Sequence, residues 1–181
     1  MGTKKRALSS VVVALASLLL VATGCGKAAD KLSEKATEKA IESAAGEGVD
    51  VDLDGDGNFA IETEDGSYSA QVGKVPASWP DDVPLPPDLT VVQSGTEMAD
   101  AEGITTTSVS FTTNATASAV AEFYTDALSD WTDTMNSTSS ADSGDFSQLM
   151  YEKGDRTVVI IAASSEGETQ VTINHTEAPA Q

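Results

Sequence analysis

Apolar and polar positions follow several rhythms along this chain, and each rhythm predicts a different element. From Ala7 to Ala22 the residues are almost all apolar or small. From Lys27 to Glu42 the chain repeats every four residues: Lys-Ala-Ala-Asp, Lys-Leu-Ser-Glu, Lys-Ala-Thr-Glu, Lys-Ala-Ile-Glu. These are good helix formers, and each Lys stands three residues before an acid, a weakly stabilising spacing on a helix. A four-residue repeat drifts around a helix of roughly 3.6 residues per turn, so no wide apolar face forms. The prediction is a semi-rigid helical spacer of about 24 Å.

Between 46 and 74 the rhythm becomes two. Val51 and Leu53, then Phe59 and Ile61, then Tyr68, Ala70 and Val72 alternate with polar residues, and Asp54-Gly55, Asp56-Gly57 and Asp65-Gly66 interrupt them. Alternation broken by Asp-Gly pairs predicts a small three-stranded β-meander. Residues 75–88 hold five of the six prolines and read as an extended linker draped over the next domain, with Trp79 tucked in. Residues 89–176 form the expected core domain. Strands are predicted at Leu89–Val92, Thr107–Phe111, Phe146–Tyr151, Thr157–Ala163 and Val171–Asn174, with turns at Lys153–Arg156 and Glu166-Gly167. Val120, Phe123, Tyr124, Ala127, Leu128 and Trp131 fall at helical spacing, with Asn114 or Thr116 as N-cap. A single helix cannot separate so many strands as parallel crossovers. The class is therefore α+β, an antiparallel sheet with one covering helix, preceded by the meander and the helical spacer. Residues 177–181 read as a disordered tail.

Composition changes this picture at one end of the chain. The 181 residues carry 10 Lys plus Arg against 29 Asp plus Glu, a formal charge of −19, which excludes nucleic acid as a partner. There is a single His and a single Cys, so neither a disulfide framework nor a multi-Cys zinc site is available. That Cys closes the first apolar stretch. Lys4-Lys5-Arg6, the apolar core and Thr23-Gly24-Cys25 have the order of a secretory signal peptide spanning 1–24. Ala7–Ala22 is 16 residues with three serines, short for a transmembrane span.

Val21-Ala22-Thr23-Gly24-Cys25 resembles the lipobox of bacterial lipoproteins, with Ala22 where that pattern most often has Leu. The resemblance implies a diacylglyceryl group on the Cys25 thiol and cleavage by signal peptidase II between Gly24 and Cys25. The chain from Cys25 onward keeps seven basic residues against 29 acidic, a net −22, so anionic headgroups repel it and the lipid must hold it. Residues 25–45 are then the lipidated Cys and its spacer. The layout also resembles small lipoproteins of high-GC Gram-positive bacteria, through Trp79-Pro80-Asp81-Asp82-Val83-Pro84-Leu85-Pro86 and Glu122-Phe123-Tyr124 with Leu128. This second resemblance brings no active site with it. The implied setting is the outer face of the cell membrane, with the bilayer as one partner and an unidentified envelope protein or ligand as another.

Candidate chemistry is sparse. Asp50-Val51-Asp52-Leu53-Asp54-Gly55-Asp56-Gly57-Asn58 resembles the start of a calcium loop, yet the twelfth position is Ile61 or Thr63 and not a bidentate acid. Its charge attracts Ca²⁺ weakly, and hairpin turns explain it better. His175 follows Val171 and Ile173 on one face of the last strand and reads as a hydrogen-bonded structural residue at the core rim. No Gly-x-Ser-x-Gly elbow accompanies it. Lys153 and Arg156 read as exposed turn charges, and Val120, Phe123, Tyr124 and Trp131 as core. No catalytic residue, metal ligand or resident cofactor is assigned. The expectation is a non-enzymatic binding or envelope-organising protein, with a calcium-binding surface module at 50–58 and a carboxylate-dependent hydrolase as alternatives.

Overall fold

The computed structural model describes residues 35–43, 48–54, 56–141 and 144–179. The strands are β1 (Val49–Leu53), β2 (Phe59–Thr63), β3 (Gly66–Val72), β4 (Leu89–Asp100), β5 (Thr105–Thr113), β6 (Thr132–Ala141), β7 (Gly144–Lys153), β8 (Arg156–Ser165) and β9 (Glu168–Glu177). All nine join one antiparallel sheet in the order β1-β2-β3-β4-β5-β9-β8-β7-β6. Helix α1 covers 35–43, and helix α2 (Ala117–Ala127) connects β5 to β6. The chain is thus α+β but dominated by its sheet.

Turn chemistry sets most of the hairpins. Asp54 Oδ1 accepts from the amides of Asp56 and Asn58, which closes the β1–β2 turn. Glu166 and Gly167 sit at φ 55° and 88°, the left-handed pair that a two-residue hairpin between β8 and β9 requires. Helix α2 starts where the Thr116 side chain accepts from the Ala119 amide, as the cap rule predicts.

Alternation along the strands creates two faces. On the front, Val109, Phe111, Leu149, Tyr151, Val158, Ile160, Val171 and Ile173 are buried beneath Val120 and Tyr124 of α2 and the Leu128 and Trp131 that follow it. Val83 of the Pro-rich stretch belongs to the same core, with Val75, Trp79 and Leu85 packed against it. Trp79 Nε1 donates to the Val83 carbonyl at 2.8 Å, folding the segment back on itself. Gly95 makes room for it: a Cβ there would lie 2.4 Å from the Lys74 oxygen and 2.5 Å from Pro76 Cδ. On the back, Ile41 of α1 packs on Val51 and Ile61.

Four expectations change. The meander and the core are not separate sheets, because β3 pairs with β4 along seven positions, Gly66↔Asp100 to Val72↔Ser94. The described part of the spacer is docked: Glu38 and Glu42 accept from the amides of Leu53 and Val51, covering the open edge of β1. The polar stretch after α2 is strand β6, paired along β7 with a bulge between Asp133 and Met135. The first residues of the expected disordered tail are placed, since β9 includes Glu177 and the Ala178 amide donates to Asp155 O at 3.0 Å.

Candidate functional site

Gly24 and Cys25, the predicted cleavage and lipid-attachment residues, lie outside the described residues, as does the rest of the signal peptide. The other candidates are all placed, with Gly55 the one gap. In the 50–58 stretch the Asp54 carboxylate is engaged by its own turn, including a 2.7 Å bond from Asn58 Nδ2. These bonds, led by the one from the Asn58 side chain, hold the Asp54 carboxyl below the usual range. Asp50 and Asp52 point to the front face of β1, where cross-strand Glu62 and Ala60 stand beside them. Among the described residues no three His, Cys, Asp or Glu side chains converge as a metal site.

Val120, Tyr124 and Trp131 are core, and Phe123 packs edge-on to Tyr124 with ring centroids 4.9 Å apart. The turn cations are more engaged than the sequence suggests. Arg156 makes a two-pronged pair with Asp82, Nη1–Oδ1 at 2.8 Å and Nη2–Oδ2 at 2.6 Å. Its guanidinium lies 4.7 Å from the centre of the Trp131 ring, and Lys153 Nζ lies 5.6 Å from it while binding Asp130. The clamp fastens the Pro-rich segment to the start of β8. Its signal was present in the sequence, since Arg156 and Lys153 are the only basic residues after Lys74 and Asp81-Asp82 sit within the proline run.

His175 leads to the site that sequence reasoning missed. It is directly opposite Thr107 of β5, and the registers extend both ways. One front-face row runs Ala60, Ser69, Glu97, Thr107, His175 across β2, β3, β4, β5 and β9. The next runs Glu62, Ser67, Ala99, Thr105, Glu177 across the same strands. These rows form the floor of a cavity of about 470 Å³, bordered by Ser78 of the Pro-rich segment. Ser78 is held there by its amide and hydroxyl, both of which donate to Glu97 Oε1.

Two polar groups of this floor are buried without a partner. His175 is 5% exposed and Thr107 6%, and neither His175 Nε2 nor Thr107 Oγ1 has a hydrogen-bond partner among the described residues. Such groups cost stability unless something satisfies them. Burial, and secondarily Arg156, pushes the His175 pKa down, against the opposing pull of Glu177 and Asp82. The imidazole is therefore neutral at neutral pH. No Lys or Arg is in the cavity lining itself, though Arg156 of β8 is cross-strand from Glu177; the lining carboxylates are Glu62, Glu97 and Glu177. They occupy alternate strands of the five, roughly 10 Å apart at the backbone given the strand spacing. Chemically the cavity is lined by the hydroxyl residues Ser67, Ser69, Ser78 and Thr105 and by the three carboxylate residues, while Thr107 Oγ1 and His175 Nε2 lie sealed beneath its floor. No signal in one dimension reveals it, because its members come together only through the β4–β5 and β5–β9 pairings.

No protein-family model matches this chain, and comparison with curated proteins and with solved structures found no match.

Proposed function

We propose that this is a lipid-anchored protein of the outer face of a bacterial cell membrane, whose sheet domain binds a ligand or partner without transforming it. The observation that carries the reading is the order Lys4-Lys5-Arg6, apolar core, Thr23-Gly24-Cys25, with the only cysteine of the chain at the cut. Each buried methylene contributes roughly 0.8 kcal/mol, so the two acyl chains of a diacylglyceryl group hold a protein stably where one does not. The helix at 35–43 then stands between anchor and sheet. Among the described residues no helix is long and apolar enough to cross a membrane. A cavity of about 470 Å³ lined by residues of five strands supports binding as the task of the domain.

Substituting Cys25→Ala and fractionating cells tests this. Expected is a wild-type chain in the membrane fraction, extractable with detergent, and a variant that accumulates uncleaved or leaves the membrane after processing elsewhere. Membrane retention of the variant at the wild-type level and the wild-type size would overturn the anchor.

A further inference from the structure

We propose that strand β6 pairs edge to edge with β6 of a second copy of this chain, antiparallel about a two-fold axis at Ser137. This self-association is independent of the membrane anchor and of the cavity.

The two edges of the sheet are finished differently. At one end α1 lies along β1, and Glu38 and Glu42 take the amides of Leu53 and Val51. At the other end β6 pairs with β7 alone, and among the described residues no backbone hydrogen bond reaches its outer side. A strand of ten residues thus leaves a row of N–H and C=O groups open to pairing. The usual defences of an edge are thin there. A bulge lies between Asp133 and Met135, and from Met135 to Ser140 there is neither proline nor charge. Charge selects the occupant. The chain has 29 acidic residues against 10 basic, so two copies approach best on a surface free of charged side chains, and this stretch is one. Because α1 closes the β1 edge, pairing stops at two copies and does not run on as a filament.

The strand is also its own complement. About an axis at Ser137, Ser137 faces its equivalent, Asn136 faces Thr138, and Met135 faces Ser139 of the second copy. Hydroxyl pairs across strands favour association. Within one copy Phe146 is opposite Ser139, and Met135 is opposite Met150, which is opposite Val159. The axis joins these into one row on one face: Val159, Met150 and Met135 of one copy, then Ser139 and Phe146 of the other. Met135 and Phe146, 42% and 40% exposed in the single chain, come to flank a small serine. No other axis along the strand sets Met135 in the row of Phe146. On the opposite face Glu122 and Asp126 of α2 border the same groove as Asn136 and Thr138. Their like charges oppose the pairing, so added salt strengthens it, the reverse of attraction to a basic partner.

Oxidative crosslinking of full-length Ser137→Cys in intact cells, with disulfides mapped by peptide mass spectrometry, tests this. Pairing about the axis brings the two Cα atoms of position 137 to about 4.5–5.5 Å, within the range a disulfide accepts. Expected is a disulfide joining position 137 of two copies. Thr132→Cys sets its thiols roughly 30 Å apart and stays uncrosslinked. Ser137→Glu, at an exposed site, keeps the fold by circular dichroism but weakens self-association in detergent about tenfold or more, because like charges then face each other. Absence of the 137 disulfide, equal crosslinking at 132 and 137, or a 137 disulfide to a different protein overturns the proposal. So does self-association that Ser137→Glu leaves unchanged. A disulfide through Cys25 in the wild-type chain would count against acylation of that thiol and not against the pairing, so the two readings fail separately.

Discussion

Arg156→Ala removes the centre of the clamp that fastens the Pro-rich segment to the sheet, and its cost can be built from parts. The ion pair with Asp82 is two-pronged, but the Asp82 side chain is 42% exposed, so solvent screening limits it to about 0.5–1 kcal/mol. The guanidinium over Trp131 adds about 0.5–1 kcal/mol. The Arg156 side chain is only 21% exposed, so truncating its stem removes packing worth about another 0.5 kcal/mol. The sum is about 2 kcal/mol, a fall of roughly 4–8 °C in melting temperature for a protein of this size. Arg156→Lys restores less than half, because an ammonium lacks the planar fork. The clamp also carries a pH signature. The hydrogen bonds from Arg156 hold the Asp82 carboxyl below the usual range. Its contribution is therefore present above the unfolded carboxylate pKa of about 3.9 and is lost as pH falls through the folded value. Thermal melts of wild type, Arg156→Ala, Asp82→Asn and the double variant measure the coupling directly. A fall below about 1 °C for Arg156→Ala, or additive single effects, refutes the clamp.

Three further expectations concern separate parts of the molecule. Val83→Ala opens a cavity where a proline-run residue is 1% exposed, so chemical denaturation should show a loss of about 1–2.5 kcal/mol; an unchanged midpoint would mean that the segment is only draped. Depression of the His175 pKa means that the unfolded chain takes up a proton first, so stability contributed by this residue falls as pH drops below about 6.5 and levels off below the folded value. Melting curves of wild type against His175→Gln between neutral and acid pH isolate that slope, and identical slopes would contradict it. Because Asp54 is engaged by its own turn, millimolar Ca²⁺ should leave the melting temperature unchanged, and a saturable rise would revive 50–58 as a calcium module.

Local structure was readable where one residue class answers to one physical need. The Asp-Gly turns, the Thr116 cap and the apolar stripe from Val120 to Trp131 are such places. Strand β6 escaped because it is an edge strand whose residues from Thr132 to Ser140 are exposed on both faces, so no alternation marks it. The second half of β4 escaped for a related reason: Ser94, Gly95 and Thr96 carry no large apolar side chain, and Gly95 is there for the close approach of Pro76. Five prolines looked like a boundary between domains, yet Val83 at their centre is buried in the main core and the sheet continues from β3 to β4 beneath them. The near-repeat before the meander predicted a helix correctly at 35–43, but not that Glu38 and Glu42 would serve the edge of β1 in addition to facing Lys35 and Lys39 in the repeat. The cavity could not be read at all. Thr107 and His175 are ordinary strand residues until pairing places them side by side.

The central claim is that Cys25 is the first residue of the mature protein and carries its membrane anchor. Mass spectrometry of the N-terminal peptide from detergent-extracted, membrane-bound protein tests it most directly. The account predicts a peptide that starts at Cys25 and is heavier than its sequence by a diacylglyceryl group. An unmodified Cys25 within a peptide that still contains Val21-Ala22-Thr23-Gly24 would contradict it.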